Sequence, residues 1–260
     1  MLRHVEAPDG VAIACEVSGE GPPLVMVHGA GSARWSFDAV RPLLEASFTV
    51  IAVDRRGRGD SGDGGGYELE REYEDVAAVT RDAGHGAALF GHSYGGLVAA
   101  GAARLLGGGL SRLALYEPPM GGVLAPSDTI DRWERMIDEG DRDRMMREFF
   151  RDIGGYDDAQ IEELARSPLW EARKRVTPTL PRELRAELAH RLDAGALGEV
   201  SAPVLLLVGT ESPDWAVRST DAYAEALPSA QTRPLVGHGH SANLTAPELL
   251  AGELERFLAI

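Results

Sequence analysis

The chain has 260 residues, enough to bury a sizeable core in one large α/β domain with an inserted segment. Its formal net charge of −15 leaves no basic stripe to displace counterions from phosphates, which argues against a nucleic-acid partner. The N-terminus lacks the basic-then-apolar pattern of a secretory leader, and no apolar run approaches the roughly 18 residues of a membrane span, so a soluble cytoplasmic protein is expected.

Two strands, near Arg3 to Ala7 and Val11 to Val17, open the chain with Pro8-Asp9-Gly10 as their hairpin turn. Cys15, the only cysteine, sits in the apolar alternation of the second and is expected to be a buried strand residue. Short apolar runs ending near Val27, Val53, Phe90 and Tyr116 read as strands. Helical patterns over Ser36 to Glu45, Glu68 to Asp82 and Tyr94 to Leu105 alternate with them. That alternation implies a mainly parallel sheet covered by helices on both faces.

From about Met120 to Val200 strand-like runs vanish and charged, helix-forming stretches take over. Thr129 to Asp138 places Trp133, Met136 and Ile137 at helical spacing, and Asp141 to Arg151 does the same with Met145, Met146, Phe149 and Phe150. Leu180, Leu184, Leu188 and Leu192 recur every fourth residue. Residues 120–200 are therefore expected to form a helical cap inserted into a core built from 1–119 and 201–260. In the second part of that core, Pro203 to Gly209 and Thr232 to Val236 read as strands, and Trp215 to Leu227 and Pro247 to Leu258 as helices.

The run Phe90-Gly91-His92-Ser93-Tyr94-Gly95-Gly96 encloses a serine in the G-x-S-x-G pattern of a nucleophile elbow, between an apolar strand and a helix-compatible run. Three other loops follow strands in the same way. They are His28-Gly29-Ala30-Gly31 after Val27, the Arg-Gly-rich turn Asp54 to Ser61 after Val53, and Gly237-His238-Gly239-His240 after the last strand. On these segments the chain resembles the α/β-hydrolases over nearly its whole length. The resemblance implies an α/β-hydrolase fold, with an eight-stranded, mainly parallel sheet, and a catalytic order of serine, acid, histidine.

Ser93 is then the expected nucleophile and His240 the expected base, with His238 as its nearby competitor. The oxyanion hole is expected to use the backbone N–H groups of Ala30 and Tyr94. At the acid the chain departs from the common pattern. Three residues beyond Gly209, where most members carry aspartate, stands Ser212, and Glu211 and Asp214 are each offset. Glu117 ends the sixth strand beside the nucleophile's strand, and its placement is similar to that of the acid in lactone hydrolases acting on zearalenone. Glu117 is the preferred acid, with Pro118 expected to hold it extended, and Glu211 and Asp214 stand as rivals. His28 and Asp54 are expected to be structural, and His92 to be a variable elbow position.

Ser93 occupies the position where an epoxide hydrolase or dehalogenase needs aspartate, which disfavours those activities. No His/Cys/Asp cluster has metal spacing and the elbow glycines form no dinucleotide fingerprint, so neither metal nor cofactor is expected. Of the cap aromatics Trp133, Phe149, Phe150, Tyr156 and Trp170, the two tryptophans are expected to bind substrate. The expected activity is hydrolysis of a small-molecule carboxylic ester or lactone. The alternatives are a lyase or cofactor-free peroxidase on the same triad, and a non-catalytic ligand receptor on a hydrolase scaffold. Oligomeric state leaves no mark in the sequence.

Overall fold

The computed structural model describes residues 1–227 and 229–259. One sheet is built from β1 (Leu2–Glu6), β2 (Ala12–Ser18), β3 (Pro23–Val27), β4 (Thr49–Val53), β5 (Ala88–His92), β6 (Arg112–Tyr116), β7 (Val204–Gly209) and β8 (Ala230–Leu235). Its spatial order is β1-β2-β4-β3-β5-β6-β7-β8. β1 and β2 pair antiparallel, as do β2 and β4, and the remaining pairs are parallel. The first hairpin closes through Gly10, at φ 83°, whose N–H donates to the Ala7 carbonyl at 2.9 Å.

Helices fill the connections: α1 (Arg41–Leu44), α2 (Leu69–Ala83), α3 (Tyr94–Leu106), α4 (Ser127–Asp138), α5 (Arg142–Asp152), α6 (Asp158–Arg166), α7 (Leu169–Arg175), α8 (Leu180–Ala189), α9 (Ala194–Leu197), α10 (Asp214–Ala226), α11 (Ala242–Thr245) and α12 (Pro247–Leu258). Because the central strands are buried on both faces, they are continuous apolar runs whose alternate residues enter different cores. Val25, Val27, Leu113, Leu115, Val204 and Leu206 pack with α2, α3 and α10. Leu24, Met26, Ala114, Tyr116, Leu205 and Leu207 pack with α1 and α12 on the other side. Helices α4 to α9 all lie between β6 and β7 in the chain, and Ile130, Trp133, Met145 and Met146 from α4 and α5 join the first core. No described helix is long and apolar enough to cross a membrane.

The helix expected over Ser36 to Glu45 does not form as one element. A 3-10 turn covers Arg34–Phe37 and α1 begins only at Arg41. Pro42 is the reason: it has no N–H to give a helix begun at Ser36, and its ring suits the first turn of a new one. β8 starts at Ala230 rather than Thr232, and α6, α7 and α11 carry no strong periodic signal.

A buried ion network joins the β6–β7 segment to the sheet. Arg55 Nη1 donates to Glu72 at 3.0 and 3.1 Å, and Arg55 Nη2 donates to Glu183 of α8 at 2.7 Å. Arg58 also donates to Glu183, and Tyr67 donates to Glu72 at 2.6 Å. The four charged groups are at most 1 % exposed. Two cations thus balance two carboxylates out of water, and deleting one carboxylate strands a buried charge. Glu183→Gln is expected to destabilise the fold by about 3 kcal/mol or more, read as a lowered urea midpoint. A loss below about 0.5 kcal/mol would mean that the pair behaves as a solvated surface bridge.

Candidate active site

Ser93 stands between β5 and α3 with φ 54° and ψ −128°, and its N–H donates to the Tyr116 carbonyl of the neighbouring strand at 2.8 Å. The chain turns so tightly there that a Cβ on Gly95 would lie 2.3 Å from the Val27 carbonyl oxygen, and one on Gly91 would lie 2.3 Å from that of Gly95. Only glycine fits at either position. Tyr94 opens α3, so its N–H lies ahead of the helix's own hydrogen-bond ladder and is free for another acceptor.

Glu117 follows β6, and its N–H donates to Leu207 of β7 at 3.1 Å. Its φ is 48°, which corrects the expectation that Pro118 holds it extended. A following proline favours extended backbone, and here the hydrogen bonds of Glu117 to Leu207, Gly209, Ser212 and His240 accompany a positive φ instead. Ser93 and Glu117 are the only non-glycine residues at positive φ among the described residues. Backbone strain of this kind persists where the surroundings over-determine it, and it collects at functional sites.

The Glu117 carboxylate is fully buried and divided between two tasks. Oε1 accepts from the Gly209 N–H at 2.6 Å and from the Ser212 hydroxyl at 2.5 Å. Oε2 lies 2.5 Å from His240 Nδ1. Ser212, the residue found where an acid is common, therefore clasps the carboxylate that rises from the next strand. Glu211 is exposed and its N–H donates to the His238 carbonyl at 3.0 Å, while Asp214 begins α10. Neither makes a hydrogen bond to His240 among the described residues.

His240 is held from several sides. The Trp215 ring meets it edge-on with centroids 5.0 Å apart, and the His92 ring lies 4.8 Å away. Burial, and then the neighbouring His240, push the His92 pKa down to about 3, so His92 is neutral and its Nε2–H donates to the His240 carbonyl at 2.8 Å. Tyr116 donates to the Gly239 carbonyl and accepts from the Ala242 N–H at 3.2 Å, pinning the same loop. His92 is thus a loop anchor rather than a free elbow position. His28 is buried and neutral, accepts the Arg55 N–H at Nε2, and spans the loop after β3 and the turn after β4. Asp54 accepts from the N–H groups of Arg34 and Asp60 at 2.9 and 3.0 Å, a structural use.

Ser93, His240 and Ala30 line one narrow cavity with about 50 Å3 of free space. Phe149, Phe150, Tyr156 and Arg173 from the β6–β7 segment line it too. His238 and Glu211 face a different pocket. The expected substrate contacts of Trp133 and Trp170 are corrected, because neither lines the cavity. Trp133 is fully buried and donates to Glu148 at 3.0 Å, and Trp170 donates to Asp143 at 2.7 Å. Both are packing residues whose indole N–H groups are already satisfied. Trp215 and Arg173 carry no signal of their role in the sequence, and Ser212 and His92 stand out there only as the residue where an acid is common and as an elbow position. Among the described residues no group of three or more His, Cys, Asp or Glu side chains could hold a metal ion.

The model of the alpha/beta hydrolase family matches residues 24–253, which takes in the elbow, the β6–β7 segment and the His240 loop. The chain belongs to the alpha/beta hydrolase family. An alpha/beta hydrolase from Sphaerobacter thermophilus superposes with a TM-score of 0.86 at 34 % identity, over 99 % of this chain and 100 % of that one. The esterase RhEst1 from Rhodococcus sp. superposes with a TM-score of 0.78 over 99 % of this chain and 98 % of that one, and at 24 % identity the likeness shows the fold alone. Matches to curated relatives are local. A soluble epoxide hydrolase from Corynebacterium sp. is 34 % identical over 101 residues, 38 % of this chain and 35 % of that protein, and the leading curated match spans only 11 % of its relative's length. Family membership accords with the fold, an eight-stranded, mostly parallel sheet with helices on both faces.

Proposed function

We propose that the protein is a serine hydrolase of small carboxylic esters or lactones, working through an acyl-enzyme with Ser93, His240 and Glu117 as its triad. The observation that carries this reading is the Glu117 carboxylate 2.5 Å from His240 Nδ1, on a histidine that lines the same cavity as Ser93. A carboxylate at Nδ1 keeps the proton there and leaves Nε2 as the base. His240 takes the hydroxyl proton as Ser93 Oγ attacks the carbonyl carbon. The Ala30 and Tyr94 N–H groups receive the developing oxyanion, and Glu117 stabilises the imidazolium. Collapse expels the alcohol, protonated by His240. Water, deprotonated by the same ring, then attacks the acyl-enzyme, and the acid leaves with Ser93 restored.

The inserted helices act as a cap in this reading, since Phe149, Phe150 and Tyr156 close the cavity over Ser93. The local likeness to an epoxide hydrolase does not extend to the chemistry, because serine rather than aspartate occupies the elbow.

The cavity is small, with about 50 Å3 of free space, so the acyl part should be short. With p-nitrophenyl esters, kcat/KM is expected to be highest for acetate to butanoate and about tenfold or more lower for octanoate, where the chain must displace packed aromatic side chains. Failure to turn over any ester or lactone of a graded panel would remove the hydrolase assignment, and a preference rising with chain length would remove the cavity as acyl site.

A further inference from the structure

Arg173 of α7 carries a feature that ester hydrolysis alone does not use. Its side chain is 6 % exposed, lines the cavity with Ser93 and His240, and makes no hydrogen bond or salt bridge among the described residues. Its guanidinium carbon lies over two aromatic rings, 4.9 Å from the centroids of both Trp35 and Phe150. Such cation–π contacts stabilise the charge but supply no oxygen acceptor for its N–H donors. No Asp or Glu lines the cavity. Burial lowers the Arg173 pKa to about 10, which leaves it protonated at neutral pH.

A buried cation left without an acceptor is costly, and the group that satisfies it is an anion with several acceptor oxygens. Planar guanidinium recognition favours a carboxylate in particular.

We propose that the cavity binds substrates carrying a free carboxylate, held by Arg173, so that the physiological substrate is a short acidic ester or lactone, such as the half-ester of a small dicarboxylic acid. This deepens the serine-hydrolase reading and rests on it for turnover, though not for binding. The matched probes are monomethyl succinate and its neutral isostere methyl 4-methylpentanoate, which differ in charge and little in shape.

Wild-type kcat/KM is expected to be at least about tenfold higher for the half-ester, and Arg173→Gln is expected to lower that ratio to about one. Succinate should raise the melting temperature of Ser93→Ala, and should no longer do so when Arg173→Gln is added, a readout that needs no chemistry. Should Arg173→Gln fail to fold, Arg173→Lys and the wild-type ratio decide, since Lys keeps the charge without the planar fork. Equal or better wild-type turnover of the neutral ester, with no stabilisation by succinate, would overturn the carboxylate site and leave the hydrolase reading intact. Turnover of neither ester together with Arg173-dependent stabilisation by succinate would have the opposite meaning.

Discussion

Glu117→Gln is expected to lower kcat for ester hydrolysis by on the order of 10⁴ with the fold intact. An amide at this position can still accept from Ser212 and Gly209 through one atom, as Oε1 does now. Its NH2 group would then face His240 Nδ1, which must become the acceptor, so the ring's proton moves to Nε2 and the base is lost. Charge stabilisation of the imidazolium disappears at the same time. Asp214→Asn and Glu211→Gln, assayed on the same ester near neutral pH, are expected to change kcat by less than about threefold, because neither side chain reaches His240. A near-normal rate for Glu117→Gln, with collapse for either of the others, would move the acid to the loop after β7.

Ser93→Ala is expected to lower kcat further, by about 10⁶, with residual turnover owed to the oxyanion donors and binding alone. The strained φ of 54° is imposed by the β5–α3 turn and the glycines at 91 and 95 rather than by the serine oxygen, so the variant should fold. Loss of a single hydroxyl from a position 6 % exposed leaves little cavity, and a melting temperature within a few degrees of wild type is the check. Retention of more than a few per cent of wild-type activity would place the nucleophile elsewhere.

The sheet could be read from the sequence because its central strands, buried on both faces, are uninterrupted apolar runs ended by glycine-rich turns. The elbow could be read because close backbone approach leaves glycine as the only choice at 91 and 95. Glu117 could be proposed as the acid because Ser212 vacates the usual position, yet the clasp formed by Ser212 and Gly209 depends on how β6 and β7 meet, which no local pattern encodes. Periodicity failed on the tryptophans. Spacing identifies the apolar stripe of α4 but does not say whether that stripe faces the core or a cavity, and Trp133 faces the core. Arg173 was hidden for a related reason. In the run Arg173-Lys174-Arg175 it looks like one of three solvated cations, and only the packing of Trp35 and Phe150 around it sets it apart from Lys174, which pairs with Glu171.

The most direct test of the triad is active-site labelling. Wild-type protein treated with a fluorophosphonate and mapped by peptide mass spectrometry is expected to carry one adduct, on Ser93, formed in proportion to the loss of ester turnover and slowed by orders of magnitude in Glu117→Gln. Complete inactivation with the adduct on another residue, or full turnover with Ser93 unlabelled, would contradict the account.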